Sequence, residues 1–391
     1  MTDSAASRAP SVQALVAGAL AAFVGFASSF AVVVKGLLAV GATPEQAASG
    51  LAALSVAMGL GAVILSFRTR MPISVAWSTP GAALLATTGT VPGGFEAAVG
   101  AFLVTGALIV IAGLWRPLGK LVERIPPAIA SAMLAGVLLG LCLAPVRAVA
   151  AMPLLALPVV VVWAVMARIN RLYAVPAAVA VTIGLLAFTG GLAGQGEATI
   201  LSQPLLVTPT LTLPALIGIA LPLFIVTMAS QNIPGLAVLN VNGYRPDAGP
   251  LFRVTGLLTM LAAPFGAHAV NLAAITAAMC ASEEADPDPA RRWWAAAVSG
   301  VLYIAFGLVA GAAIALISRS PPVLIEAVAG LALLGSFGGA LSVALADPKS
   351  REAALVTFLV TASGLTFAGI GGAFWGLLAG GAMHALARWR A

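Results

Sequence analysis

Two stretches of this 391-residue chain place polar side chains inside long apolar sequence. The first runs Pro72-Ile-Ser-Val-Ala-Trp-Ser-Thr-Pro-Gly. Here Ile73 to Trp77 reads as extended, Thr79 as an N-cap, and Pro80 as the first residue of a helix. The second, Pro264-Phe-Gly-Ala-His-Ala-Val-Asn-Leu-Ala-Ala-Ile-Thr, repeats the order: proline, extended run, N-cap (Asn271), short apolar helix. Free N–H groups at each helix start, with a dipole end worth about half an elementary charge, would face the gap between them and attract an anion. Ser78, Thr79 and Asn271 add donors there, and Trp77 offers a flat wall for an aromatic ring. Read as structure alone, the same residues are caps and a core or lipid-facing tryptophan.

Further candidates lie elsewhere in the chain. Ser230, Gln231 and Asn232 precede Pro234-Gly235. Buried without partners they would cost roughly 1–3 kcal/mol each, so they are expected to face a cavity. Ser28 and Ser29 hold the matching place earlier in the chain and are weaker candidates, since small residues also serve helix packing. His268 is the only histidine in this region. Its ordinary pKa of about 6.5 suits a proton carrier whose imidazolium a bound carboxylate would stabilise; the alternative is a neutral ring in a fixed hydrogen bond.

The elements that carry these residues follow from composition. With 61% hydrophobic and 8% charged residues, far below the roughly one quarter charged in soluble domains, the chain reads as an all-α polytopic membrane protein. Non-helical backbone at membrane depth is tolerated only against protein or a water-filled cavity. Two broken spans in corresponding halves therefore mark a transporter site near the midplane. The net charge of +6 comes from basic residues in ones to threes at segment ends, which reads as topology rather than nucleic-acid binding. Cys142 and Cys280 are isolated and read as structural, and neither a metal nor a cofactor is expected.

Fourteen apolar segments are expected, near 12–40, 44–67, 73–90, 93–115, 125–145, 151–167, 172–190, 213–240, 250–264, 269–281, 292–317, 321–345, 352–367 and 369–387. The first is read as a retained span, because no small-residue cleavage site follows it. Alternation from a cytoplasmic Arg8 puts Arg68, Arg70, Arg116, Lys120, Arg124, Arg168, Arg171, Arg245, Arg253, Arg291, Arg292, Lys349, Arg351, Arg388 and Arg390 inside as well, and only Arg147 and Arg319 outside. Both termini are then cytoplasmic. The connection 191–212, with Glu197, is expected to join two halves.

Those halves look duplicated. Ala27-Ser28 with Gly41-x-x-Pro44 matches Ala229-Ser230 with Gly243-x-x-Pro246 at a separation of 202 residues. Pro72 matches Pro264 at 192, and Pro126-Pro127 with Leu139-Gly140 matches Pro321-Pro322 with Leu334-Gly335 at 195. Seven spans per half is an odd number, so the second half enters the membrane upside down and a 7+7 inverted repeat follows, with spans 3 and 10 discontinuous. An axis relating the two breaks would let them move together as one body.

The motifs Pro72-Ile-Ser-Val-Ala-Trp-Ser-Thr-Pro-Gly, Gln231-Asn-Ile-Pro-Gly, Asn242-Gly-Tyr-Arg-Pro and Pro264-Phe-Gly-Ala-His-Ala-Val-Asn-Leu-Ala-Ala-Ile-Thr-Ala-Ala, followed by Asp286-Pro-Asp-Pro-Ala-Arg-Arg, resemble the bacterial benzoate transporter (BenE-type) family over nearly the whole chain. The resemblance implies a benzoate:proton symporter of the bacterial inner membrane with the fold of uracil and xanthine permeases. It also implies a core domain (1–122 and 213–318) that moves past a gate domain (123–212 and 319–391), with substrate between spans 3 and 10. Nucleobase permeases of this fold carry carboxylates in span 8, where this chain has amides. That departure favours an anion, which a fixed carboxylate would repel at low dielectric.

The remaining charges receive structural readings. Lys35 is expected to snorkel to the outer interface and Glu326 to be interfacial. The run Glu283-Glu284-x-Asp286-x-Asp288 lacks calcium-loop spacing and reads as a solvated turn. No metalloprotease, nucleotide-binding or serine-hydrolase motif is present, so an enzyme is not expected. The expected partners are benzoate or a similar small aromatic anion, a proton and the lipid bilayer. A permease for another aromatic or heterocyclic compound and an anion channel on the same fold are the alternatives, and a homodimer is left open.

Overall fold

The computed structural model describes residues 9–115, 126–188, 201–367 and 370–389. Arg8, Arg116, Lys120, Arg124, Glu197 and Arg390 lie outside the described residues. Helix α1 (Val12–Ala27) starts at Ser11, whose hydroxyl accepts from the Ala14 N–H, and α2 (Phe30–Ala39) continues it after a break at Ser28 and Ser29. Both serine hydroxyls donate back to the Gly25 carbonyl, a local alternative to the helical ladder that loosens a span at such residues. Next comes α3 (Pro44–Thr69), opened by a Thr43/Gln46 capping box and ended by Arg70 in the left-handed region.

Strand β1 (Val75–Trp77) then runs into the half-length helix α4 (Thr79–Thr88), followed by α5 (Gly94–Leu114). The chain continues through α6 (Pro127–Cys142), α7 (Ala144–Ala151) and α8 (Pro153–Ile169). A tight turn at Arg171–Tyr173 leads to α9 (Ala174–Phe188). The connection expected to join the halves bonds to chain on both sides of it: Thr210 N–H to the Glu96 carbonyl, and Val207 N–H to that of Pro264.

After it comes α10 (Leu213–Asn240), a continuous helix containing two π-turns, at 216–220 and at Met228–Asn232. Helix α11 (Ala248–Ala262), strand β2 (Val270–Leu272) and the short α12 (Ile275–Ala281) follow. Then come α13 (Trp293–Leu308), α14 (Ala310–Arg319), α15 (Pro322–Ala346) and α16 (Arg351–Ala362). A small strand pair, β3 (Thr366–Phe367) with β4 (Ile370–Gly371), precedes α17 (Gly372–Trp389). Among the described residues seven helices or helix pairs are long and apolar enough to cross a membrane, and four more apolar helices are shorter. The protein is an all-α polytopic membrane protein with discontinuous helices.

Strand β1 pairs antiparallel with β2, Val75 opposite Leu272, Ala76 opposite Asn271 and Trp77 opposite Val270. Two flanking bonds, Ala273 N–H to the Ser74 carbonyl and Ser78 N–H to that of Ala269, extend the ladder. Each break thus satisfies the other's backbone, as hydrocarbon demands. Two expected caps move. The N-cap of α4 is Ser78, which accepts from the Gly81 N–H at 3.1 Å, so Thr79 is the first helical residue. Asn271 sits in mid-strand, and α12 begins only after Ala274, with no side-chain cap.

Around this pair the helices cross through glycines. A Cβ on Gly59 of α3 would lie 2.4 Å from the Gly300 carbonyl oxygen of α13, and one on Gly300 would lie 2.6 Å from that of Gly59. Helices α5 and α11 make the same reciprocal contact: a Cβ on Gly106 would lie 2.9 Å from the Gly256 oxygen, and one on Gly256 2.8 Å from the Gly106 oxygen. Close backbone approach of this kind is what small residues contribute to membrane helix packing.

Candidate functional site

The polar residues around the two breaks divide into those that hold the strands and those that face open space. Trp77 is 2% exposed; its Nε1–H donates to Ser29 Oγ at 2.8 Å, and its ring packs 5.4 Å from that of Phe26. Across the pair, Asn232 Oδ1 accepts from the Leu272 N–H at 2.9 Å, while its amide donates to Met228 Sδ. The broken α1–α2 pair and the π-turned α10 therefore each clamp one strand. Asn232 is fully buried and does not line the cavity, contrary to the expectation for the polar run of α10.

Ser78 is the hub of this frame. Its hydroxyl accepts from Thr227 Oγ1 at 2.9 Å as well as from Gly81, and its carbonyl meets His268 Nε2 at 2.9 Å. A carbonyl oxygen only accepts, so Nε2 carries a hydrogen and neutral His268 leaves Nδ1 as a bare acceptor. Nδ1 is buried without a partner among the described residues, beside the Phe102 ring. The Asn271 amide is satisfied when Oδ1 accepts from the Ser78 N–H at 2.9 Å and the nitrogen donates to the Leu272 carbonyl at 2.7 Å. His268 and Asn271 are both wholly buried and line neither cavity described below.

Open space begins on the other side of the strands. A cavity of about 870 Å³, within the size range of ligand sites, is lined on one wall by Ser28, Pro80, Ser230, Gln231 and Ile275. A recess of about 90 Å³ continues from it to Trp77, Thr79 and Ser29, sharing Ser28 and Gln231 with the larger space. Of the expected residues, Ser28, Ser29, Trp77, Thr79, Ser230 and Gln231 thus reach this space. The rest of the polar lining was missed in the sequence: Ser131 of α6, Trp163 of α8, Arg171, and Ser336 of α15, which also reaches the recess. Among the described lining residues Arg171 is the one charged side chain, and none is a carboxylate. It had been legible only as a topology signal.

The cavity extends toward the start of α9 and the last turns of α15, where Arg171 and Val343 lie. At the other end α2 meets α15 through an ion pair, Lys35 Nζ to Glu326 Oε1 at 3.0 Å. Lys35 therefore does not reach out to the interface alone, and Glu326 is its partner. The acidic run is likewise no simple solvated turn. Asp286 is 3% exposed and accepts from Ser11 Oγ, while Arg292 donates to the Asp286 and Ala281 carbonyls, tying the start of α1 to the chain before α13.

Comparison with known proteins agrees with this architecture. The chain is 42% identical over 370 residues to the inner membrane protein YdcO of Escherichia coli (strain K12), covering 95% of this chain and 94% of that one. It is 30% identical over 371 residues to the benzoate membrane transport protein of Acinetobacter baylyi (strain ATCC 33305 / BD413 / ADP1), again covering 95% and 94%. Among solved structures, the transmembrane domain of the cyanobacterial bicarbonate transporter BicA aligns over 96% of both chains with a TM-score of 0.58 and 14% identity. SLC26A9 aligns over 96% of this chain with a TM-score of 0.66 and 13% identity, and this chain spans 65% of its length. At such identities the two structures share the fold alone. The family model described as benzoate membrane transport protein matches residues 8–386, and the chain belongs to that family as a membrane-embedded secondary transporter, not an enzyme.

Proposed function

We propose that the protein imports benzoate or a closely similar small aromatic carboxylate across the bacterial inner membrane by proton symport. The observation that carries this reading is the cavity itself. It lies at the paired chain breaks and ends in a recess formed by Trp77 and by Thr79 at the start of α4. Serine hydroxyls and the Gln231 amide line it, and no carboxylate is among its described lining residues. A helix start with donors favours an anion, an aromatic wall favours a ring, and the absence of a fixed negative charge among the lining residues leaves the anion unopposed. The relative from Acinetobacter baylyi whose name includes benzoate supports the same choice.

In this account the chain is an inverted repeat of seven plus seven spans, with both termini cytoplasmic. The core spans (1–122, 213–318) carry substrate past the gate spans (123–212, 319–391). The antiparallel pairing of β1 with β2 supports a two-fold axis in the membrane plane. So do the reciprocal glycine contacts, because Gly59 and Gly256 are separated by 197 residues and Gly106 and Gly300 by 194, close to the offsets of the sequence motifs. Given that topology, the cavity opens to the cytoplasm and the Lys35 to Glu326 pair closes the outer side. His268 touches the cap of α4 rather than the cavity, so its proposed part in proton coupling runs through Ser78: a change of charge on the ring alters the hydrogen bond that fixes the start of α4.

The test is uptake into vesicles reconstituted with the purified protein. Benzoate entry should saturate, accelerate under an inward proton gradient and resist competition by uracil and xanthine. His268→Gln should retain benzoate exchange and lose the acceleration. Non-saturating benzoate flux would identify an anion channel, and inhibition by a nucleobase at equal concentration would identify a different permease. A His268→Gln protein that still responds fully to the gradient would remove the histidine from coupling.

A further inference from the structure

The cavity has two walls with different chemistry, and the proposed site uses only one of them. On the wall formed by α6, α8, α9 and α15, the turn after α8 projects Arg171 into the space, with Trp163 on the same wall. The guanidinium lies over Gly335 of α15: its Nη2 is 3.4 Å from the point a Cβ there would occupy. Neither ion pair found among the described residues involves Arg171. Arg171 is exposed, so its guanidinium stays solvated while it presents a positive charge to a largely apolar cavity that has no carboxylate among its described lining residues.

We propose that Arg171 and Trp163 form a second carboxylate-binding station, which receives the aromatic anion from the recess and passes it to the aqueous side toward which the cavity opens. This rests on the reading of the cavity as an aromatic-carboxylate site. Arginine suits the role because its planar fork meets a carboxylate through two parallel N–H bonds, and it stays charged at every working pH. Trp163 supplies a face on which the ring can lie. The two stations sit on different elements: Trp77, Thr79 and Gln231 on β1, α4 and α10, Trp163 and Arg171 on α8 and the turn after it. If the walls move past each other during transport, the anion spans both only while the cavity is open in the arrangement seen here. Arg171 then offers it a counter-charge as it leaves the helix start.

The experiment is equilibrium binding of benzoate and of its uncharged analogue benzamide to the purified wild-type protein, Arg171→Gln and Arg171→Lys, at low and high salt. Arg171→Gln should raise the Kd for benzoate about fivefold, the size of a partly solvated ion pair, and leave that for benzamide unchanged. Arg171→Lys should recover most of the loss. Salt should weaken benzoate binding to wild type more than to Arg171→Gln, because screening acts on a charge the variant lacks. A folded Arg171→Gln protein with wild-type Kd and salt response overturns the proposal. Equal weakening of benzoate and benzamide does so too, since it marks a merely structural arginine. A wild-type protein that ignores benzoate overturns the functional reading along with it, whereas the first two results overturn this station alone.

Discussion

At the scale of single residues, the structure separates side chains that build the site from those able to touch a ligand. Ser78 caps α4 and accepts from Thr227, so Ser78→Ala should lower stability by ~1 kcal/mol, the usual size of a lost N-cap. A thermal unfolding midpoint that drops for Ser78→Ala and holds for Thr79→Ala would bear this out. Thr79→Ala should instead weaken benzoate binding by ~1 kcal/mol, the order of a hydrogen bond to a charge; unchanged affinity would place the anion away from the recess. Asn271→Ala should behave like Ser78→Ala, because that amide is spent on Ser78 and Leu272. The sequence identified nearly all of these residues, since a polar side chain stands out in apolar surroundings. It could not say which way each one points. Ser78 and Asn232 satisfy their groups with Thr227, His268 and Leu272, distant in the chain, and such partners become visible only once the strands are paired.

At the scale of elements, the proposed topology makes the contact between α2 and α15 the one that shuts the outer end of the cavity. The Lys35 and Glu326 side chains are 25% and 44% exposed, so their pair is worth about 1 kcal/mol or less after screening. That still shifts a two-state equilibrium severalfold. Glu326→Gln should therefore reduce labelling of Ser131→Cys, on the cavity wall, by an impermeant thiol reagent added to the cytoplasmic face. The exchanged pair Lys35→Glu with Glu326→Lys should restore it. Native Cys142 and Cys280 are buried and give little background. Labelling unchanged in both variants would show that the pair does not hold the outer side closed. The strands, half-length helices and long apolar helices were legible from prolines, β-branched runs and apolar length. The ion pair was not, since nothing in the local sequence of Lys35 points to a residue in another helix far along the chain.

At the scale of the whole molecule, the proposed duplication, read from Pro72 and Pro264 and from the Ala-Ser and Pro-Pro matches, draws further support from glycine contacts that the sequence did not single out. In a chain with 42 glycines, composition could not distinguish Gly59, Gly106, Gly256 and Gly300 from the rest; their backbone approach does. The rest of the cavity lining was illegible for a related reason: Ser131 and Trp163 belong to ordinary-looking spans, Arg171 to an ordinary-looking turn, and they come together only through packing. The central claim is that this cavity selects an aromatic carboxylate, and calorimetric binding to the purified protein tests it most directly. Benzoate should bind saturably, with benzamide and uracil weaker by about tenfold or more, a difference of ~1.4 kcal/mol. Uracil binding as tightly as benzoate, or benzoate not binding at all, would contradict the account.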